Sequence, residues 1–158
     1  MRPDDADGFV GLIEALAHYE HLEPPDAEAR TRLIRDATAG VPRFFTFLAE
    51  LDGQLVGYAI YFETYSTFLA RPTLYLEDLF VLPEARGKSV GAALFRACAA
   101  EAELRGCGRM EWQVLAWNDL ALGFYEHLGA APLHADWRCY RLEGETLQRA
   151  ALEAWRQG

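Results

Sequence analysis

The stretch from Leu76 to Phe95, LEDLFVLPEARGKSVGAALF, carries the densest chemistry in the chain. An apolar strand runs into a loop holding Gly87 and Gly91, and the loop opens a helix. A helix start directs free backbone N–H groups and the positive end of the helix dipole at one spot, where an anion such as a pyrophosphate fits. Gly87 and Gly91 remove side chains where the backbone must come close, and Arg86 and Lys88 can add charge pairing at the rim. The competing reading is a strand-to-helix turn whose glycines serve packing alone. Gly87-Lys88-Ser89 also has the ending of a nucleotide P-loop, but that motif requires glycine at position 82. Position 82 is Leu82, so the P-loop reading fails, and a GxGxxG fingerprint is absent as well. Just before the loop, Glu77 and Asp78 are adjacent carboxylates. On a strand, neighbours face opposite ways, so only one of the two looks into a given cleft. His18 and His21 can share a helix face, but without a cysteine or third histidine nearby they make no zinc site, and no metal is expected.

The elements that must hold this stretch are legible from periodicity. Residues about 6–20 space Phe9, Leu12, Ile13, Leu16 and Ala17 on one helical face. Pro24-Pro25 breaks the chain, and Asp26 can cap a second helix, AEARTRLIRDATAG, with Gly40 as its stop. RFFTFLAEL and QLVGYAIYFETY flank Asp52-Gly53, a strong hairpin signal. TLYLEDLFVL is a third strand, and Pro83 ends its pairing. Arg86 to Gly106 shifts to helical period, with Val90, Leu94, Ala97, Cys98 and Leu104 on one side. Arg109 to Trp117 returns to strand character. Asn118 opens a short helix, DLALGFYEHLG, that Gly129 ends. WRCYRL reads as a late strand and TLQRAALEAWRQ as a terminal amphipathic helix. The expected fold is α/β (α+β), a mixed twisted sheet flanked by helices, in a single domain over residues 1–158.

Bulk properties narrow the function classes. The chain has 158 residues and 51% hydrophobic content, enough to bury a continuous core. A formal net charge of −9 disfavours nucleic-acid phosphates and anionic membrane surfaces, and mildly favours cationic ligands. No apolar run approaches the roughly 20 residues needed to span a bilayer. The acidic N-terminus, MRPDDADGFVGLIEAL, lacks the order of a secretion signal, and a cytoplasmic location is expected. Cys98, Cys107 and Cys139 form an odd set without CxxC spacing, which suits free thiols in a reducing compartment. No partner constellation marks any of them as a nucleophile.

The order of these features resembles the GNAT superfamily of acetyl-CoA-dependent N-acetyltransferases, and within it the diamine (spermidine/spermine-type) and thialysine branch. The likeness covers nearly the whole chain. It rests on LYLEDLFV before the loop, RGKSVG within it, Trp117-Asn118, FYEHLGA at 124–130, and the tryptophan-bearing WRCYRL before a last helix. The superfamily loop is usually written [Q/R]xxGx[G/A]. Arg86 and Gly91 match it, while Ser89 stands where glycine is usual, with a β-carbon that crowds the phosphates or demands an ordinary helical φ.

The resemblance implies a splayed central strand pair, with Leu79, Phe80 and Val81 pairing with the pantetheine arm of acetyl-CoA. Backbone amides of Gly87, Lys88, Ser89, Val90, Gly91 and Ala92, beside Arg86, receive its pyrophosphate, and Asn118 flanks the same arm. It assigns Tyr125 as general acid for the leaving thiolate, placing it also beside the coenzyme, and Glu77 as base or amine-binding group. A backbone N–H near Val81 would face the oxyanion. Tyr19 and Glu20 line the amine site, with Glu111, Trp112 and Gln113 as a further wall. Asp136 is a stand-in for an acidic residue that the branch places before the late tryptophan. The implied activity is acetyl transfer to a small cationic amine, a polyamine, diamine or thialysine-like compound, by direct attack in a ternary complex. The rivals are an amino-acid or protein N-terminal acetyltransferase, and a non-catalytic acyl-CoA-binding regulator. A homodimer is expected by resemblance.

Overall fold

The computed structural model describes residues 1–133 and 139–156. Residues 1–113 make one compact unit, and residues from Val114 onward make another. The first holds α1 (Ala6–Tyr19), α2 (Ala27–Thr38), β1 (Phe45–Leu51), β2 (Gln54–Ser66), β3 (Arg71–Val81), α3 (Val90–Leu104) and β4 (Arg109–Trp112). The second holds α4 (Asp119–His127) and α5 (Gly144–Arg156).

The strands lie in the order β1-β2-β3-β4, with β1, β2 and β3 antiparallel and β4 parallel to β3. The parallel pair is joined through α3, as a same-sheet crossover requires. Asp52 and Gly53 both adopt left-handed φ, 52° and 80°. That is the type I′ geometry that closes a two-residue hairpin, here between Leu51 and Gln54.

Each face of the sheet buries one helix. On one face Val56, Ala59, Tyr61, Leu74, Leu76 and Val81 pack with Leu94, Cys98 and Ala102 of α3. On the other, Tyr58, Ile60 and Phe80 pack with Phe9 and Leu12 of α1. The expected apolar stripe of α1 meets the sheet, and so does that of α3 through Val90, Leu94 and Cys98. Leu104, expected on the same side, is instead 81% exposed at the helix end, and Ala102 is buried there. Arg105, past the end of α3, ties that helix down: it bonds Glu101 at 2.6 Å and Glu63 at 2.8 Å, and its guanidinium carbon lies 4.1 Å from the Phe45 ring centroid.

Four local expectations need correction. Helix α2 is capped by Asp26, which accepts from Ala29 N at 2.8 Å, but it ends at Thr38, before Gly40. His21 lies beyond α1 in the left-handed region (φ 58°), with His21 N on His18 O and Leu22 N on Ala17 O. This is a Schellman ending with histidine where glycine is usual, so His18 and His21 do not share a helix face. Strand β4 stops at Trp112 rather than Trp117, because its partner β3 turns away beyond Leu76. In WRCYRL, Cys139–Leu142 are irregular, since an alternating sequence makes a strand only where an edge offers hydrogen bonds. Trp137 and Arg138 lie outside the described residues.

Gly57 pairs with Val81 at the end of the β2–β3 ladder. A β-carbon there would stand 2.7 Å from the Phe80 carbonyl oxygen and 3.2 Å from Val81 Cγ2. Because the nearest obstacle is backbone, Gly57→Ala is expected to cost about 1–3 kcal/mol of stability, measurable by urea denaturation.

Candidate active site

Strand β3 has two different edges. Its β2 edge is paired along the strand, from Arg71 to Val81. Its β4 edge is paired only from Thr73 to Leu76. Among the described residues, no strand pairs with the outer edge of residues 77–81, so this segment offers an open row of backbone groups. The parting coincides with a β-bulge: Tyr61 pairs with Leu76 and Ile60 with Asp78, leaving Glu77 unopposed.

The bulge also reverses the strand's alternation. Leu74 and Leu76 before it, and Leu79 and Val81 after it, all join the α3-side cluster. Phe80 therefore faces the α1 side, and Asp78 with it. Glu77 is exposed, whereas Asp78 is half-buried. Burial, followed by the charges of Glu77 and Glu20, pushes the Asp78 carboxyl up to about 6, against an opposing hydrogen-bonding influence of Tyr58. Burial likewise raises Glu20 above the usual carboxylate range.

Past Val81 a single 3-10 turn, Pro83–Ala85, leads into the loop. The first α-type hydrogen bond of α3 runs from Ala93 N to Ser89 O at 3.0 Å. The N–H groups of Val90, Gly91 and Ala92 therefore lie ahead of the helical ladder and are open to an anion. Gly87 and Ser89 are both left-handed, with φ 75° and 62°. The expectation that a β-carbon at position 89 would demand an ordinary helical φ is thus corrected: Ser89 keeps the glycine-like conformation, and its side chain makes no capping bond. Gly87, Lys88 and Ser89 are exposed.

Arg86 braces this loop against the end of α1. Its Nε donates to the Val81 carbonyl at 3.1 Å, and its guanidinium carbon lies 4.9 Å from the Tyr19 ring centroid. Tyr19 in turn packs on Phe80, with centroids 6.4 Å apart. The structure thus gathers Tyr19, Glu20, Asp78, Phe80 and Arg86 beside the loop. From sequence, Asp78 is paired with Glu77 as one of two carboxylates facing opposite ways, and Tyr58 is not singled out; which of the two carboxylates turns inward depends on the bulge, which leaves no composition signal.

Glu111 pairs with Arg109 at 2.9 Å. Trp112 packs edge-on against Phe95 of α3 at 5.4 Å, on the face opposite Tyr19 and Phe80. Gln113 is exposed at the end of β4.

In the second unit, Asn118 caps α4 through its side-chain oxygen, which accepts from Ala121 N at 3.1 Å. Tyr125 is half-buried on α4, edge-on to Phe124 at 5.1 Å. Gly129 (φ 86°) ends the helix in a Schellman arrangement, with Ala130 N on the Tyr125 carbonyl. Asp136 lies outside the described residues. Among the described residues, no cluster of three histidine, cysteine or acidic side chains forms a metal site.

A model of the acetyltransferase (GNAT) family matches residues 10–130. A thialysine N-epsilon-acetyltransferase from Bos taurus is 34% identical over 157 residues, covering 93% of this chain and 92% of the relative. A Homo sapiens spermidine/spermine N(1)-acetyltransferase-like protein is 28% identical over 94% of this chain and 23% of its own length. Among solved structures, an integron cassette protein from V. cholerae superimposes with a TM-score of 0.76 at 26% identity, covering 96% of this chain and 94% of that one.

The left-handed Ser89 gives a direct test of the loop geometry. An L-residue there carries about 1–2 kcal/mol of strain, partly offset by the flexibility that glycine adds to the unfolded chain. Ser89→Gly is expected to leave stability unchanged or raise it by up to about 1 kcal/mol, whereas Ser89→Val lowers it. Thermal unfolding of the pair reads the difference.

Proposed function

The chain belongs to the GNAT family of acetyltransferases, and we propose that it acetylates the primary amine of a small cationic compound, a polyamine, diamine or thialysine-like molecule. The observation that carries this reading is the open outer edge of residues 77–81 leading straight into an uncapped helix start. An extended amide-bearing arm ending in a diphosphate fits that sequence of groups, and acetyl-CoA, the family's cosubstrate, has this form. The relative named thialysine N-epsilon-acetyltransferase and the acidic group beside the loop support the cationic amine.

In this reading the backbone of Leu79, Phe80 and Val81 pairs with the arm, and the amides from Gly87 to Ala92 take the diphosphate. Lys88 adds charge at the rim, and Arg86 braces the loop against Tyr19. Asn118, besides capping α4, flanks the arm. When bound, acetyl-CoA would be the acetyl donor, its thioester carbonyl the electrophile that the amine attacks and its thiolate the leaving group. An alkyl ammonium of pKa near 10.4 has no lone pair for attack. Glu77, directly or through water, takes its proton and leaves the neutral amine. Tyr125 delivers a proton to the departing thiolate. Tyr19 and Glu20 line the amine site, and Glu111 and Gln113 are candidates for its far wall.

The family match crosses the boundary at residue 113, which supports reading both compact units as one acetyltransferase domain. The reading includes a homodimer and a cytoplasmic setting. Free thiols at Cys98 and Cys107 suit a reducing compartment, and among the described residues no helix is long and apolar enough to cross a membrane.

Thiol release from acetyl-CoA against polyamines, thialysine, free amino acids and an N-terminal peptide tests this reading. Turnover is expected with the small cationic amines. Activity on the peptide alone would contradict it, and coenzyme binding without turnover would mark a regulator. Tyr125→Phe is expected to lower kcat by about 100-fold or more, and unchanged kcat would remove the acid role.

A further inference from the structure

Leu82 N donates to the Val56 carbonyl at 2.9 Å. The facing pair beside it, Gly57 and Val81, is therefore one whose own backbone groups point away from each other. The Val81 carbonyl thus points toward the outer edge of β3, at the last residue of the strand, and Arg86 Nε closes it at 3.1 Å. The same guanidinium makes two aromatic contacts. Its central carbon lies 4.9 Å from the Tyr19 ring centroid and 6.0 Å from that of Phe80, and the two rings are 6.4 Å apart. One side chain of the loop is thereby joined to the end of α1 and to the end of β3 at once. Among the described residues, no carboxylate lies within ion-pair distance of Arg86. A carbonyl and two rings set its place, not a counter-charge.

Both partners gain from such a tie. Tyr19 is the last residue of α1, and His21 soon leaves the helical path with φ 58°. A helix end of this kind opens readily unless something packs on it. The Val81 carbonyl lies past the end of the β4 ladder, where no neighbouring strand supplies a donor among the described residues. A planar guanidinium answers both needs, since its in-plane N–H takes the carbonyl while its face takes the ring. Lysine keeps the charge but has neither the plane nor the Nε.

We propose that Arg86 is a positioning residue for the amine substrate: it fixes Tyr19 relative to the open edge of β3, and so sets where the amine meets the thioester. This rests on the amine-acetyltransferase reading, in which Tyr19 lines the amine site and the edge holds the coenzyme. It adds the link between the two. A misplacement of roughly 1 Å is enough to slow a reaction between two bound substrates. Arg86 acts through Tyr19 and touches neither reacting atom.

The experiment is a double-mutant cycle of Arg86→Lys and Tyr19→Leu, read by steady-state kinetics with spermidine and thialysine and by calorimetry of CoA. Arg86→Lys is expected to lower kcat/KM for the amine about 5-fold or more, with the Kd for CoA within twofold of wild type. Tyr19→Leu loses the same contact, so the double variant is expected to be no worse than the poorer single one. In a Tyr19→Phe background, which keeps the ring, Arg86→Lys retains its full effect. An amine kcat/KM within twofold of wild type in Arg86→Lys would overturn the proposal, as would losses that multiply in the double variant. A fall in kcat/KM matched by an equal loss of CoA affinity would assign the arginine to the diphosphate and overturn it too.

Failure of the parent reading looks different. If the wild type turns over none of the amines, acetyl transfer to them fails. The positioning role is then read from calorimetry of spermidine on the CoA-loaded protein, where the same non-additivity is expected in Kd and additive losses contradict it. Turnover with independent effects of Arg86 and Tyr19 keeps acetyl transfer and removes the positioning role. Absence of both amine binding and turnover contradicts both.

Discussion

The architecture depends on the point where β3 parts from β4. Up to Leu76 the two strands share a parallel ladder, and after it β3 keeps its hydrogen bonds to β2 while its other edge opens. A strand edge exposed inside a fold is normally a liability. Here it leads, within one short turn, to a helix start with uncommitted amides. The bulge at Glu77 lets both conditions hold: it absorbs the one-residue offset, tilts the strand, and turns Asp78 toward α1. The cores on either face secure this arrangement, since Leu79 and Val81 anchor one side and Phe80 the other.

How the chain treats its carboxylates separates structure from function. Glu63 and Glu101 are both answered by Arg105, which also stacks on Phe45. Glu111 is answered by Arg109. The group at Glu20, Glu77 and Asp78 receives no such partner among the described residues, although Arg86 is close enough to stack on Tyr19. Its guanidinium braces the loop and leaves the carboxylates uncompensated. A partly buried carboxylate left uncompensated costs stability locally.

Much of this was readable from sequence wherever the signal is local. The Asp52-Gly53 turn, the Asp26 cap, the helical face of α1 and the strand-loop-helix order around Gly87 depend on neighbours a few residues apart, and they appear as expected. What escaped depends on partners distant in sequence. Nothing in LEDLFV reveals a bulge, because it arises from register against Ile60 and Tyr61. The early end of β4 is a property of β3. Ser89 and His21 hold left-handed conformations that sequence statistics reserve for glycine, and the surrounding turns impose them. The roles given to Tyr125 and Asn118 came from resemblance and remain proposals, while the acidic group was visible only as two letters, Glu77-Asp78, without its geometry.

The central claim is that the open edge of β3 and the following loop hold the coenzyme. Backbone amide hydrogen exchange with and without CoA tests it most directly. The account predicts slowed exchange at residues 77–81 and 87–92, with the β1–β2 hairpin unchanged. Protection confined to other segments, or none at residues 77–81 and 87–92 at saturating CoA, would contradict it.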